Sequence, residues 1–423
     1  MKKSVTSAVL FAMTLMCCAI AVGQASEKVL YSFGAFPEDG IFPSGGLTLD
    51  PAGNIYGVTA EGGKYCMENG GCGTVYELSP SQGGGWTETI LYNFCTTGNP
   101  STCPDGWGSL AGLFLDQQGN LYGTAGGGGS NGLGVVFKLS PPTGGGNNWT
   151  ETVLWNFGCN KDNGCLPRYG KLNMDAAGNI YGATSAGGKK NAGIVFQLKP
   201  VGDGTYSFSI LHSFSGPDGA QPQYGVAIDN SGALYGATIA GGKSSPNCNS
   251  GPGTCGVVYK LTQSNGVWTE SVLYKLNGIT EWYPVTPISI DQDGNLYGTF
   301  MEGGGGGCFG GCGGIFKLIP SLGKKQLFYF NGAPGEGGPK GGVLVAKDGS
   351  LIGVASDNGA HPGDVFRVKG KTEEVLYKFC SLPNCTDGST PLWGTPAERS
   401  GVLYGTTSLG GDNNLGVVYT LTK

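Results

Sequence analysis

The chain has 423 residues, of which 82 are glycine and only 13% are charged, with a formal net charge of −5. Glycine without a period of three excludes collagen, and sparse charge with no basic cluster leaves no footprint for nucleic acid or anionic lipid. After the first segment, no run approaches the roughly 20 apolar residues of a membrane-spanning helix.

Lys2 and Lys3 precede an apolar stretch from Ala8 to Val22, and Gly23-Gln24-Ala25 sets small residues three before and one before a cleavage point. This is the pattern of a signal peptide over residues 1–25, so export is expected, with a soluble mature chain starting near Ser26 in the periplasm, at the cell surface or outside the cell. Lipidation is not expected, because Met16 and Cys17 precede the two leader cysteines where a small residue is required. Without Lys2 and Lys3 the balance is 23 basic against 30 acidic residues, net −7.

The length would suggest two or three domains, but repetition overrides it. GNIYG at Gly53 recurs as GNLYG at Gly119, GNIYG at Gly178, GALYG at Gly232, GNLYG at Gly294, GSLIG at Gly349 and GVLYG at Gly401, seven copies in all. An alternating apolar run ending in an acid precedes it, as in Gly46-Leu47-Thr48-Leu49-Asp50. A glycine-rich connection and a run such as Val135-Val136-Phe137-Lys138-Leu139 follow, and then a run such as Trp86 to Phe94. Short segments rich in Val, Ile, Tyr, Thr and Phe between glycine turns are strands. Asp50-Pro51-Ala52-Gly53 and its copies at Asp116, Asp175 and Asp291 are turns in which Asp caps backbone amides and Gly takes positive φ.

Four antiparallel strands per repeat of about 50–65 residues make a propeller blade. Lys28 to Phe33 is a fourth strand with nothing before it, and Val417 to Leu421 is a third strand with nothing after it. Their pairing completes a blade and removes two exposed edges. The expectation is an all-β, seven-bladed β-propeller over residues 26–423, a single domain closed by its two termini. Blade six departs with Ala346 and Ile352, and blade seven with Pro396 in an inner strand, where proline is tolerated.

The G-N-L-Y-G-T, G-x-V-F-x-L and V-L-Y-x-F blocks together resemble the GloVer repeats of bacterial choice-of-anchor proteins, over nearly all of the mature chain. The resemblance implies an exported propeller and carries no catalytic residues. Members of that family often end in an anchor segment; here Lys423 follows a blade strand directly, so anchoring by that route is not expected.

Twelve cysteines of the mature chain form six close pairs: Cys66/Cys72, Cys95/Cys103, Cys159/Cys165, Cys248/Cys255, Cys308/Cys312 and Cys380/Cys385. In an exported chain these read as disulfides, and without C-x2-C pairs and with only two histidines no metal is expected. Three pairs lie between second and third strands and three between a fourth strand and the next first strand, which places all six on one face. An acid-glycine pair opens most blades on that face, at Asp39, Asp105, Asp218, Glu336 and Asp387, with Asp162 nearby. These are turn signals, or a ring of carboxylates at the channel mouth. Trp107, Tyr169, Tyr224, Trp282, Tyr283 and Trp393 lie on the same connections, with Phe309 and Tyr65 on the inter-strand loops, and are candidates for binding.

Catalytic constellations are scarce. His212 replaces a strand tyrosine and reads as structural, and His361 has no nucleophile beside it. Gly128 to Gly132 fits G-x-S-x-G without the strand-to-helix turn such a motif needs, and Asp291-Gln292-Asp293-Gly294 lacks the distal ligand of a calcium loop. The expectation is a monomeric binding module for a glycan, peptide or protein, without cofactor. The alternatives are a polysaccharide-active enzyme using loop carboxylates and a structural envelope protein.

Overall fold

The computed structural model describes residues 25–422 apart from 145, 147, 247, 249–253, 285–286, 306–310, 331–337 and 358–360. The segment expected to be a signal peptide, up to Gln24, and Cys308, Phe309 and Glu336 therefore lie outside the described residues. The chain folds as seven antiparallel blades around an axis. Blade one runs outward from Gly40–Leu49 through Ile55–Gly62 and Thr74–Pro80 to Trp86–Asn93, and the following five repeat this order. Blade seven is completed by the amino-terminal strand Ser26–Ser32, paired with Val417–Thr422 from Ser26↔Thr422 to Ser32↔Val417. Arg399 reinforces this closure, donating to the carbonyls of Asp50 and Pro51 at 2.8 and 2.6 Å.

Each repeated block has a physical role. The second glycine of the pentapeptide has no space for a side chain: a Cβ on Gly57, Gly123, Gly182, Gly236, Gly353 or Gly405 would fall within 2.5 Å of the aromatic ring on the neighbouring third strand. That ring, from Tyr76 in blade one to Tyr419 in blade seven, is met edge-on by the phenylalanine that ends the V-L-Y-x-F block of the preceding blade. The pairs Phe33–Tyr76, Phe94–Phe137, Phe157–Phe196, Phe214–Tyr259, Phe330–Phe366 and Phe379–Tyr419 have centroids 4.8 to 5.4 Å apart. One side chain per seam thus rivets each blade to the next, in a geometry aromatic rings favour. In the remaining seam the position is taken by Leu276, also fully buried.

The inner strands approach one another through backbone. A Cβ on Gly45 would lie 2.6 Å from the Gly112 nitrogen, and one on Gly170 would lie 2.5 Å from the Gly225 nitrogen. Side chains stitch the same ring: Thr48, Asn173 and Ser289 each donate to a carbonyl of the next inner strand, at Leu113, Val226 and Val343.

Candidate binding site at the axial end of the stapled face

Disulfides join Cys66–Cys72, Cys95–Cys103, Cys159–Cys165, Cys248–Cys255 and Cys380–Cys385. The sixth expected pair, Cys308/Cys312, is described at Cys312 alone. Cys312 is disulfide-bonded and fully buried, packed with Ile315 and Phe330, whereas Cys308 lies outside the described residues, so the geometry of that bridge is not part of the described structure. The four sulfurs of the first two bridges lie within 4.8 Å of one another, although one bridge sits between second and third strands and the other between two blades. Both kinds of connection therefore emerge on one face, as the up-and-down order requires.

The acid-glycine pairs are built into the seams of that face. The Asp39 carboxylate accepts from the Tyr31 hydroxyl and the Ala35 amide at 2.8 and 2.9 Å, and Asp105 accepts from Tyr92 and the Thr96 amide at 2.8 and 3.1 Å. Asp387 accepts from Tyr377 and Ser381, and Asp218 meets His212 at 2.9 Å. In every case the partner is the tyrosine position of the preceding V-L-Y-x-F block, so His212 is a structural substitute. Blade three uses Asn163, which accepts from Trp155, whereas Asp162 is exposed beside Lys161. Blade five uses Glu281, bonded to Tyr274. Asp39, Asp105 and Asp387 are at most 5% exposed; these three and Asp218 are each held in their own seam, and they do not come together at the channel mouth. Burial raises the pKa of Asp39 against its hydrogen bonds. For Asp218 and Asp387 the hydrogen bonds outweigh burial and the pKa is lowered.

A second carboxylate faces four of these acids and was not legible in the sequence. Glu88, Glu151, Glu270 and Glu27 all stand on fourth strands opposite a third-strand leucine. Burial, then repulsion from Asp39, Asp105, Asp218 and Asp387 respectively, raises their pKa to about 8, 8, 7 and 7. Oxygens of Asp39, Glu88, Asp105 and Glu151 are buried without a hydrogen-bond partner. Where the chain changes one member it changes both. Blade three pairs Asn163 with Phe208, and blade five pairs Glu281 with Lys325, which form an ion pair at 2.9 Å. The described seams therefore avoid two charged carboxylates, by protonation or by substitution.

At the axis, on the stapled face, the structure gathers Tyr169, Tyr224, Tyr283 and Trp393 with Ile239 and Met301. Tyr169 stacks on Tyr224 with centroids 5.8 Å apart and meets Trp393 at 5.0 Å. Under the rings lies a cavity of about 310 Å³, lined by Tyr169, Lys171, Asn173, Tyr224, Trp393 and Thr395 among others. Trp393 has φ 59°, two residues past the seam proline Pro391, where blade one has Gly45 at φ 69° after Pro43. Holding a tryptophan there costs about 1–2 kcal/mol of backbone strain. Of the other aromatic candidates, Trp282 is turned to Glu302 through its indole nitrogen. Trp107, 39% exposed, covers Gly127 in blade two.

Residues 246–423 match the Gloeobacter/Verrucomicrobia repeat family. No curated protein matches the chain. Among solved structures, the chain is similar to the GH74 xyloglucanase from Xanthomonas campestris at 14% identity and a TM-score of 0.53, covering 93% of this chain and 55% of that one. It is also similar to an ancestral GH74 enzyme at 11% identity and a TM-score of 0.54, covering 94% and 51%. The chain spans about half of each, and the likeness is one of fold. The repeat match covers residues 246–423, under half of the chain, so the family is what that part resembles, while the seven closed blades make the chain a repeat β-propeller.

Proposed function

We propose that the chain is an exported, non-enzymatic binding module that takes a glycan at the axial end of its stapled face. The observation that carries this reading is the cluster Tyr169, Tyr224, Tyr283 and Trp393 over a cavity of about 310 Å³, the only aromatic grouping among the described candidates that adjoins a cavity on the axis. Aromatic rings offer stacking faces to sugars, and loops held by disulfides and by seam hydrogen bonds are preorganised, which lowers the entropic cost of binding. The disulfides suit an oxidising compartment, and no helix among the described residues is long and apolar enough to cross a membrane.

A glycan array, followed by calorimetry on its hits, tests the reading with Tyr169→Ala and Trp393→Gly. Both variants are expected to weaken binding at least tenfold, while Trp282→Ala leaves it within twofold. Binding that survives both axial substitutions would remove the site.

A further inference from the structure

The axial cavity holds one cation that the fold does not require. In each blade, one residue stands two before the partner of the pentapeptide's fourth residue, and five of these seven line the axial cavity. That residue is Gly46, Gly112, Gly225 or Gly342 in four blades, Pro287 in a fifth, Thr395 in a sixth, and Lys171 in blade three. Glycine therefore suffices for closure at this level, and the lysine is additional to it.

Lys171 reaches across the axis to place Nζ 3.3 Å from the Thr48 hydroxyl. The Thr48 proton is already donated to the Leu113 carbonyl, so this hydroxyl accepts one of the ammonium's three hydrogens and leaves two. No carboxylate pairs with Lys171 among the described residues; Asp39, Asp105, Asp218 and Asp387 are engaged in their seams. The side chain is surrounded by protein yet partly accessible, because the cavity it lines admits water. Burial lowers its pKa to about 8, so it remains charged at neutral pH. A desolvated cation without a counter-charge gains most from an incoming anion.

We infer that the axial cavity is a carboxylate subsite and that the glycan recognised there is acidic, with a uronate residue stacking on the aromatic cluster and its carboxylate meeting Lys171 Nζ. This rests on the glycan reading above. At about 310 Å³ the cavity stands at the small end of ligand pockets and suits a single terminal sugar. The rest of the chain is acidic, so the preference comes from this one lysine and not from a general field.

The test is titration of the mature protein with D-glucuronate, its methyl ester and D-glucose, followed by calorimetry and tryptophan fluorescence. Glucuronate is expected to bind at least tenfold more tightly than the ester or glucose. Lys171→Met and Lys171→Gly, the latter carrying the residue four other blades have, are expected to abolish that preference. Equal affinity of the unaltered protein for acid and ester, failure of glucuronate to bind, or a preference that persists in both variants overturns the inference. Neutral glycan binding that is still lost with Trp393→Gly leaves the glycan site standing in those cases; its absence from the unaltered protein removes both.

Discussion

Replacing Phe33 by alanine distinguishes a closed ring from a chain with a loose amino-terminal segment. The side chain is fully buried among Leu47, Ile55, Tyr76 and Val418, with its ring 5.1 Å from that of Tyr76. Truncating such a phenylalanine costs about 3–5 kcal/mol, including roughly 0.5–1.5 for the edge-to-face contact. A substitution in a frayed terminus would change stability by at most about 0.5 kcal/mol, so the two pictures differ by several-fold. Phe94→Ala is the internal standard, since Phe94 is equally buried and meets Phe137 at 5.2 Å in a seam with no chain end. Urea denaturation of the mature protein is expected to show equal losses for both variants, lowering the midpoint by about 1 M for a chain of this size. A full loss for Phe94→Ala with none for Phe33→Ala would refute closure by the amino-terminal strand.

Gly57→Ala would set a methyl group against the buried Tyr76 ring; we expect a loss of about 3 kcal/mol in thermal unfolding, partly recovered by Tyr76→Leu, and an unchanged Tm would contradict the packing. The folded pKa values of Glu27, Glu88, Glu151 and Glu270, about 7 to 8 against an ordinary 4.5, mean that the folded chain binds more protons than the unfolded one across this window. Stability should therefore fall as pH rises from about 5 to 8, by up to about 1.4 kcal/mol per pH unit for Glu88 and for Glu151 and by less for Glu27 and Glu270, which solvent screens more. Glu88→Gln should flatten that slope and raise stability at pH 8; a stability that rises over the same range in denaturation curves would sink the seam account. Because Cys66–Cys72 and Cys95–Cys103 close loops with separations of 6 and 8 residues, removing either should cost about 2 kcal/mol and open those loops to limited proteolysis. Unchanged cleavage after removal would argue that the loops are held by their hydrogen bonds alone.

The architecture was legible because the same sentence is written seven times. A motif repeated at a fixed spacing fixes strand order, turn chemistry and closure together, and the terminal half-blade Lys28 to Phe33 is recognisable only against the complete copies. The repeat also reveals its own exceptions: His212 in a tyrosine position is structural for a reason visible in the alignment of blades. The seam carboxylates were half legible. Asp39, Asp105, Asp218 and Asp387 stand out beside glycine, but Glu88 and its counterparts look like solvent-facing strand residues. Only the placement of the preceding blade, whose tyrosine position they face, buries them. Coordinated change was the available signal, with Asn163 and Phe208 appearing together in blade three and Glu281 with Lys325 in blade five. The axial cluster was legible as aromatic content and not as a site. Tyr224, Tyr283 and Trp393 come from three different blades and from different places in them: Tyr224 and Trp393 stand two residues past the seam prolines Pro222 and Pro391, whereas Tyr283 directly precedes Pro284 and its neighbour Trp282 faces Glu302. Lys171 carries no mark in the sequence beyond being charged where four other blades have glycine.

The most direct measurement of the central claim is a hydrogen-exchange map of the mature protein saturated with its tightest glycan from the array. Binding at the axis is expected to slow exchange in residues 169–173, 224–227 and 393–397, which meet only at the channel, and to leave the loops around Trp107 and Trp282 unchanged. Protection confined to those rim loops, with the inner strands unaffected, would contradict an axial site.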